Sequence, residues 1–110
     1  MGTLFLDPGL LGKRARVLRM DLVPDGMGGG APSWSEVAEV SVHVEPVSVA
    51  SREVFGQREA TVTHRVTCRF RNDIDRGMTF ALGDRWLTIL SIHDPDESSR
   101  YLVCRCEEET

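Results

Sequence analysis

Period-two alternation of apolar and polar residues, broken by short polar turns, most limits what this chain can fold into. In "EVAEVSVHVEP" (residues 36–46) Val40, Val42 and Val44 fall on one side, Ser41 and His43 on the other, and Pro46 ends the run. "TVTHRVTCRF" (61–70) sets Val62, Val66, Cys68 and Phe70 against Thr63, Arg65, Thr67 and Arg69, with His64 on the apolar side as a hydrogen-bonded core or interface residue. "KRARVLRM" (13–20) places Ala15 and Val17 between charged neighbours. "MTFAL" (78–82), "RWLTILSIH" (85–93) and "RYLVCRC" (100–106) complete the set. Gly83-Asp84 suits a two-residue hairpin turn and Pro95 a polar turn, with "EEET" left as a solvated tail.

Strands of this length with short connections predict an all-β fold, a small antiparallel β-barrel or sandwich of about six strands with long loops and at most one short helix. The 110 residues make one domain, 1–110, with room for one modest core. Residues 47–60 read either as a short helical turn from Ser51 to Gly56 or as an extended excursion.

The net charge of -4 opposes a broad phosphate-binding face, although a tube around DNA need not grip it. An aromatic content of 6% also disfavours the alternative of an OB-like nucleic-acid-binding barrel, which stacks bases on aromatics in a basic groove. "MGTLFLDPGLLG" is too short before Asp7-Pro8 for a signal peptide, and Leu6 stands where myristoylation needs Ser or Thr. Synthesis in the cytoplasm without membrane attachment is expected. The odd number of cysteines predicts reduced thiols, with Cys104 and Cys106 facing the core beside Leu102. No paired ligand spacing points to a metal. Lys13 is the single lysine; the arginine excess suits interfaces, or reflects coding bias.

"PDGMGGGAPSW" (24–34) is glycine-rich enough to be compared with a phosphate loop, and reads as a connection from residue 21 to 35 rather than as strand interior. Such a loop leads into a helix N-terminus, usually followed by Lys. Here it leads through Ala31-Pro32-Ser33 into a strand, beside Asp21 and Asp25, so the phosphate reading fails. Asp84, Asp94, Asp96 and Glu97 lack the spacing of a calcium loop, and Ser33, Ser35, Ser48 and Ser51 sit in no nucleophile elbow. Catalytic, cofactor-binding and metal-binding residues are therefore expected to be absent; a small barrel enzyme needs a convergent polar pocket that no motif supplies.

The order of the motifs resembles the head–tail joining proteins of tailed bacteriophages, also called head-closure, stopper or head–tail adaptor proteins, which include gene transfer agent members. "GLLGKRARVLRM" is similar to the family's opening Gly-Leu and Arg-bearing first strand, "PDGMGGGAPSW" to its Asp-Gly, Gly-Gly and Trp, and "VAEVSVHVEP" to its Glu-Pro ending. "SREVFGQREATVTHRVTCRFR", "IDRGMTFALGDRWLTILSIHDPDE" and "YLVCRCEE" continue the series in order. Ser41, where many members carry an aromatic, and the added glycine and proline in 28–32 depart from it.

The resemblance implies a non-enzymatic virion component that joins the portal-adaptor ring above to the tail terminator or tail tube below. It implies self-association into a six-membered ring that closes or gates the DNA channel, with DNA passing without specific binding. Two loops then become candidate interface or channel elements. One holds Asp25, Gly26, Gly28, Gly29, Gly30 and Trp34; the other, Arg52, Glu53, Phe55, Arg58 and Glu59. In that role the glycines let the first loop order on assembly, and Trp34 anchors its end in the core or at an interface. Plain surface loops are the competing reading for both.

Overall fold

The structure, a computed structural model, describes residues 8–47, 54–55 and 60–109. A 3-10 turn at Pro8–Leu10 precedes β1 (Lys13–Pro24), β2 (Gly30–Pro46), β3 (Val54–Phe55), β4 (Ala60–Thr61), β5 (His64–Arg69), β6 (Thr79–Leu82), β7 (Arg85–His93) and β8 (Tyr101–Glu108). Six strands close an antiparallel barrel in the order β1-β2-β5-β8-β7-β6, and β6 returns to β1 through Arg16↔Ala81, Val17↔Phe80 and Leu18↔Thr79. Closure removes the free edges that an open sheet would present. The all-β expectation holds, and that 3-10 turn is the sole helical piece among the described residues.

Alternation decides which side chains fill the barrel. Ala15, Val17, Val40, Val42, Val66, Cys68, Phe80, Leu87, Ile89, Leu102, Cys104 and Cys106 form one buried cluster, joined by Ile74 and Met78 from the β5–β6 connection. The three cysteines are free and buried, as their strand phase predicts. A bulge on β2 breaks the register, with Val17 opposite Ala38 and Leu18 opposite Glu36. Across that shift Val17 belongs to the core cluster, and Leu18 is buried outside it.

Three expectations are corrected. Residues 21–35 are not a loop: β1 and β2 remain paired through Pro24↔Gly30, leaving a five-residue connection. Phe70 does not reach the core, because β5 ends at Arg69, and it is exposed on the surface. The acidic end is not a free tail. Glu108 N–H donates to Thr63 Oγ1 at 2.8 Å, Glu109 N–H donates to the Trp86 carbonyl at 2.9 Å, and the Glu107 carboxylate accepts from Thr61 N–H at 2.9 Å.

In the 47–60 stretch, Val54 and Phe55 are extended and pair with Thr61 and Ala60, so those positions are not helical. Arg52, Glu53, Arg58 and Glu59 lie outside the described residues.

Candidate functional site

From Arg19 to Pro24 and from Gly30 to Ser35, β1 and β2 pair only with each other. The β1–β6 ladder stops at Leu18, and the β2–β5 ladder begins at Val42. These six cross-strand pairs, at about 3.3 Å per residue, form an arm roughly 20 Å long outside the barrel. The molecule is correspondingly elongated, 52 × 30 × 26 Å.

Opposed residues share a face of a ribbon. One arm face carries Met20 with Trp34, Leu22 with Pro32, and Pro24 with Gly30; the other carries Arg19 with Ser35, Asp21 with Ser33, and Val23 with Ala31. The first is apolar and uncovered: Leu22 is 67% exposed, and Met27 at the tip 89%. The second is mostly polar, with Arg19 Nε 3.3 Å from Asp21 Oδ2.

Asp25 shapes the tip. Its Oδ1 accepts from the N–H groups of Met27 (2.8 Å) and Gly29 (3.2 Å), and its own N–H donates to the Gly29 carbonyl at 3.2 Å. Gly26 and Gly28 have φ of 79° and 82°, the left-handed region that glycine enters without a Cβ clash. The Gly29 amide, which a phosphate loop would turn to its ligand, is taken by a carboxylate, and the chain continues into strand.

Trp34 stands at the arm's base, neither in the core nor free. Its ring meets Trp86 edge-to-face, with centroids 4.9 Å apart and planes at 89°. Trp86 is the β7 partner of Ala81, whose β1 partner is Arg16, so the contact ties the arm to the outer wall of the barrel.

A second feature lies on the outer faces of β2, β5, β8 and β7. His43, Glu45, Arg65, Thr67, His93, Pro95, Val103 and Arg105 line a groove of about 430 Å³. Register sets His43, Thr67, Val103 and His93 in one row across the four strands, and Glu45, Arg65, Arg105 and Ser91 in the next. Four of these side chains are cationic or titratable bases, against Glu45, whose Oε1 is 3.6 Å from Arg65 Nη1. Partial burial, then repulsion from Arg105 and Arg65, lowers the His93 pKa despite the opposing pull of Asp94. No aromatic lines this groove, unlike the base-stacking surface of an OB-like barrel.

Around His64, at another end of the barrel, Nδ1 is 2.9 Å from Thr63 Oγ1, and Arg85 makes a two-pronged pair with Glu108 at 2.7 and 3.1 Å. This is the hydrogen-bonded histidine that its strand position suggested. Hydrogen bonding to Arg85 holds the Glu108 carboxyl below its ordinary range. Among the described residues no group of three His, Cys, Asp or Glu is placed to hold a metal ion, and no helix is long and apolar enough to cross a membrane.

Of the residues singled out in the sequence, Asp25, Gly26, Gly28 and Gly29 form the tip, and Gly30 and Trp34 lie in the arm's second strand. Phe55 is placed only as part of β3. Of the groove residues, His43, Arg65 and Thr67 were legible as lying opposite the apolar face, but the meeting of the set across four strands was not. For the arm, Asp25-Gly26 between apolar residues is the hairpin signal that carried the information.

The fold is shared with solved structures. A chain of the virion of a native gene transfer agent (GTA) particle aligns with TM-score 0.65 and 22% identity, over 89% of this chain and 94% of that one. The solution structure of protein SF1141 from Shigella flexneri 2a aligns with TM-score 0.70 and 23% identity, over 96% and 98%. No curated protein sequence matches. Residues 6–109 match the phage head completion protein family, and the chain belongs to that family of structural virion proteins.

Proposed function

We propose that this chain assembles as a ring, of six copies in the reading implied by its motifs, in the neck of a phage or gene transfer agent particle. There it follows the portal-adaptor ring, closes the DNA channel after packaging, and offers the tail its docking surface. The observation that carries this reading, beyond family membership, is the arm. A two-stranded hairpin is marginal in water by itself, and this one leaves Leu22 and Met27 largely exposed and Met20 and Trp34 partly so. Apolar surface of that kind on a structural protein marks a place where another subunit sits. The net charge of -4 agrees with a conduit that DNA traverses without adhering.

The test is electron cryo-microscopy of the particle neck, with mutant particles that lack this chain as the control. A symmetric ring of the chain between portal and tail, and mutant heads that lose DNA, are expected. A neck without the chain, or mutant heads that retain DNA and join tails, refutes the proposal.

A further inference from the structure

The arm and the cationic groove lie at opposite ends of one strand. β2 contributes Gly30–Ser35 to the arm, and His43 and Glu45 to the groove. From Ser35 to His43 is eight residues, roughly 26 Å of extended chain. The arm is at the N-terminal end of β2 and is held to the outer wall through Trp34 and Trp86, while the groove residues of β2 are at its C-terminal end.

We propose that the groove formed by His43, Arg65, His93, Val103 and Arg105 is the socket for the arm of a second copy of this chain. The inference rests on the self-assembly reading above and names its contact. Three observations select that occupant. Arg19 offsets Asp21 on the arm's polar face, so the outer arm and tip carry the negative charge of Asp25 and no cation, whereas the groove gathers two arginines and two histidines around one glutamate. Val103 and Pro95 supply apolar wall for the uncovered Leu22, Pro32 and Met27. The arm's reach of roughly 20 Å approaches the 26–30 Å width of the molecule, so it spans a neighbour's wall. Because donor and acceptor surfaces differ, the contact is heterologous: each copy gives an arm and receives one, and such contacts close as a ring when the rotation permits.

Cysteine cross-linking tests the contact. Met27→Cys and His93→Cys place thiols on the exposed tip and at the exposed groove rim, while Cys68, Cys104 and Cys106 stay buried. Mild oxidation of assembled full-length protein carrying both substitutions should give a ladder of covalent oligomers on a non-reducing gel. Each single variant should remain a monomer. Adding Arg65→Glu and Arg105→Glu should cut ladder yield by about tenfold, as loss of two favourable charge contacts and gain of two repulsive ones implies. Dimers from Met27→Cys alone mean that tips meet tips, and overturn the socket. So does a full ladder in the doubly charge-reversed protein, or no ladder from a preparation in which the ring is visible. A neck lacking the chain altogether refutes the ring reading, and the socket falls with it.

Discussion

The Trp34–Trp86 contact decides whether the arm folds as part of the barrel or as an appendage. Replacing Trp34 by Ala removes a side chain a little over half buried. A fully buried indole removes up to about 250 Å² from water, so roughly 140 Å² is at stake here. At about 25 cal/mol per Å² this is near 3.5 kcal/mol, reduced to roughly 2–3 kcal/mol once denatured-state compactness is allowed for. That full amount appears in global unfolding only if the arm's base melts together with the barrel. The edge-to-face geometry, 4.9 Å and 89°, adds a pairwise term of about 1 kcal/mol, near a fivefold change in the unfolding constant.

A double-mutant cycle with Trp34→Ala, Trp86→Ala and the pair isolates the pairwise term. Urea unfolding followed by far-ultraviolet circular dichroism supplies the free energies. These are the chain's only two tryptophans, so near-ultraviolet dichroism reports directly on whether they still touch. A coupling of about 1 kcal/mol, with loss of the near-ultraviolet band in either single variant, is expected. If coupling falls below about 0.3 kcal/mol, within the additivity of independent sites, the claim that this contact ties the arm to the wall is wrong.

Asp25→Ala should speed amide exchange at Met27 and Gly29 while leaving the barrel's unfolding midpoint unchanged, because Asp25 bonds only to the tip. The buried thiols should ignore Ellman's reagent in native protein and react fully in denaturant. Cys106 is pushed up to about 12 by burial, and Cys104 is pushed up by its hydrogen bond to Cys68 and by burial. Glu108 has a folded pKa below its unfolded one, so its contribution is present above the ordinary glutamate range and lost as pH falls through the depressed value; Glu108→Gln should flatten the acid limb of stability against pH.

The barrel was legible because its strands obey one rule. Val40 and Val42, Val66 and Cys68, and Cys104 and Cys106 each alternate inward, and a closed barrel buries one face of every strand. Phe70 misleads because phase alone does not mark where pairing stops: its N–H already turns to the Arg100 carbonyl at 2.9 Å, one residue past β5. Glu107 to Glu109 misled for the opposite reason. Three consecutive acids suggest solvent, but their backbone and side-chain partners come from Thr61, Thr63, Arg85, Trp86 and Thr88, which only the closed topology delivers. The arm was least legible. Pro24, Gly30 and Pro32 each disfavour a strand individually, and the ladder forms because each side supplies the other's partner at this isolated ribbon.

That last point changes how the glycine tip works. Glycines were expected to keep a loop adaptable until assembly ordered it. The tip instead holds a defined turn, with Asp25 satisfying two amides and Gly26 and Gly28 in the left-handed conformations that the turn requires. Ordering a flexible loop costs about 1–2 kcal/mol per residue, so five disordered tip residues would consume much of what a small contact gains. A preformed hairpin avoids that cost and presents Met20, Leu22 and Trp34 on one face. Gly26 and Gly28 thus give the turn its shape. Their replacement by residues with side chains should weaken assembly by straining the turn, even though an added Cβ at Gly26 or Gly28 meets nothing within 4 Å. Gly28→Ala tests this directly: equal barrel stability with reduced assembly is the expected result, and unimpaired assembly would show that the tip's geometry is not what the neighbour reads.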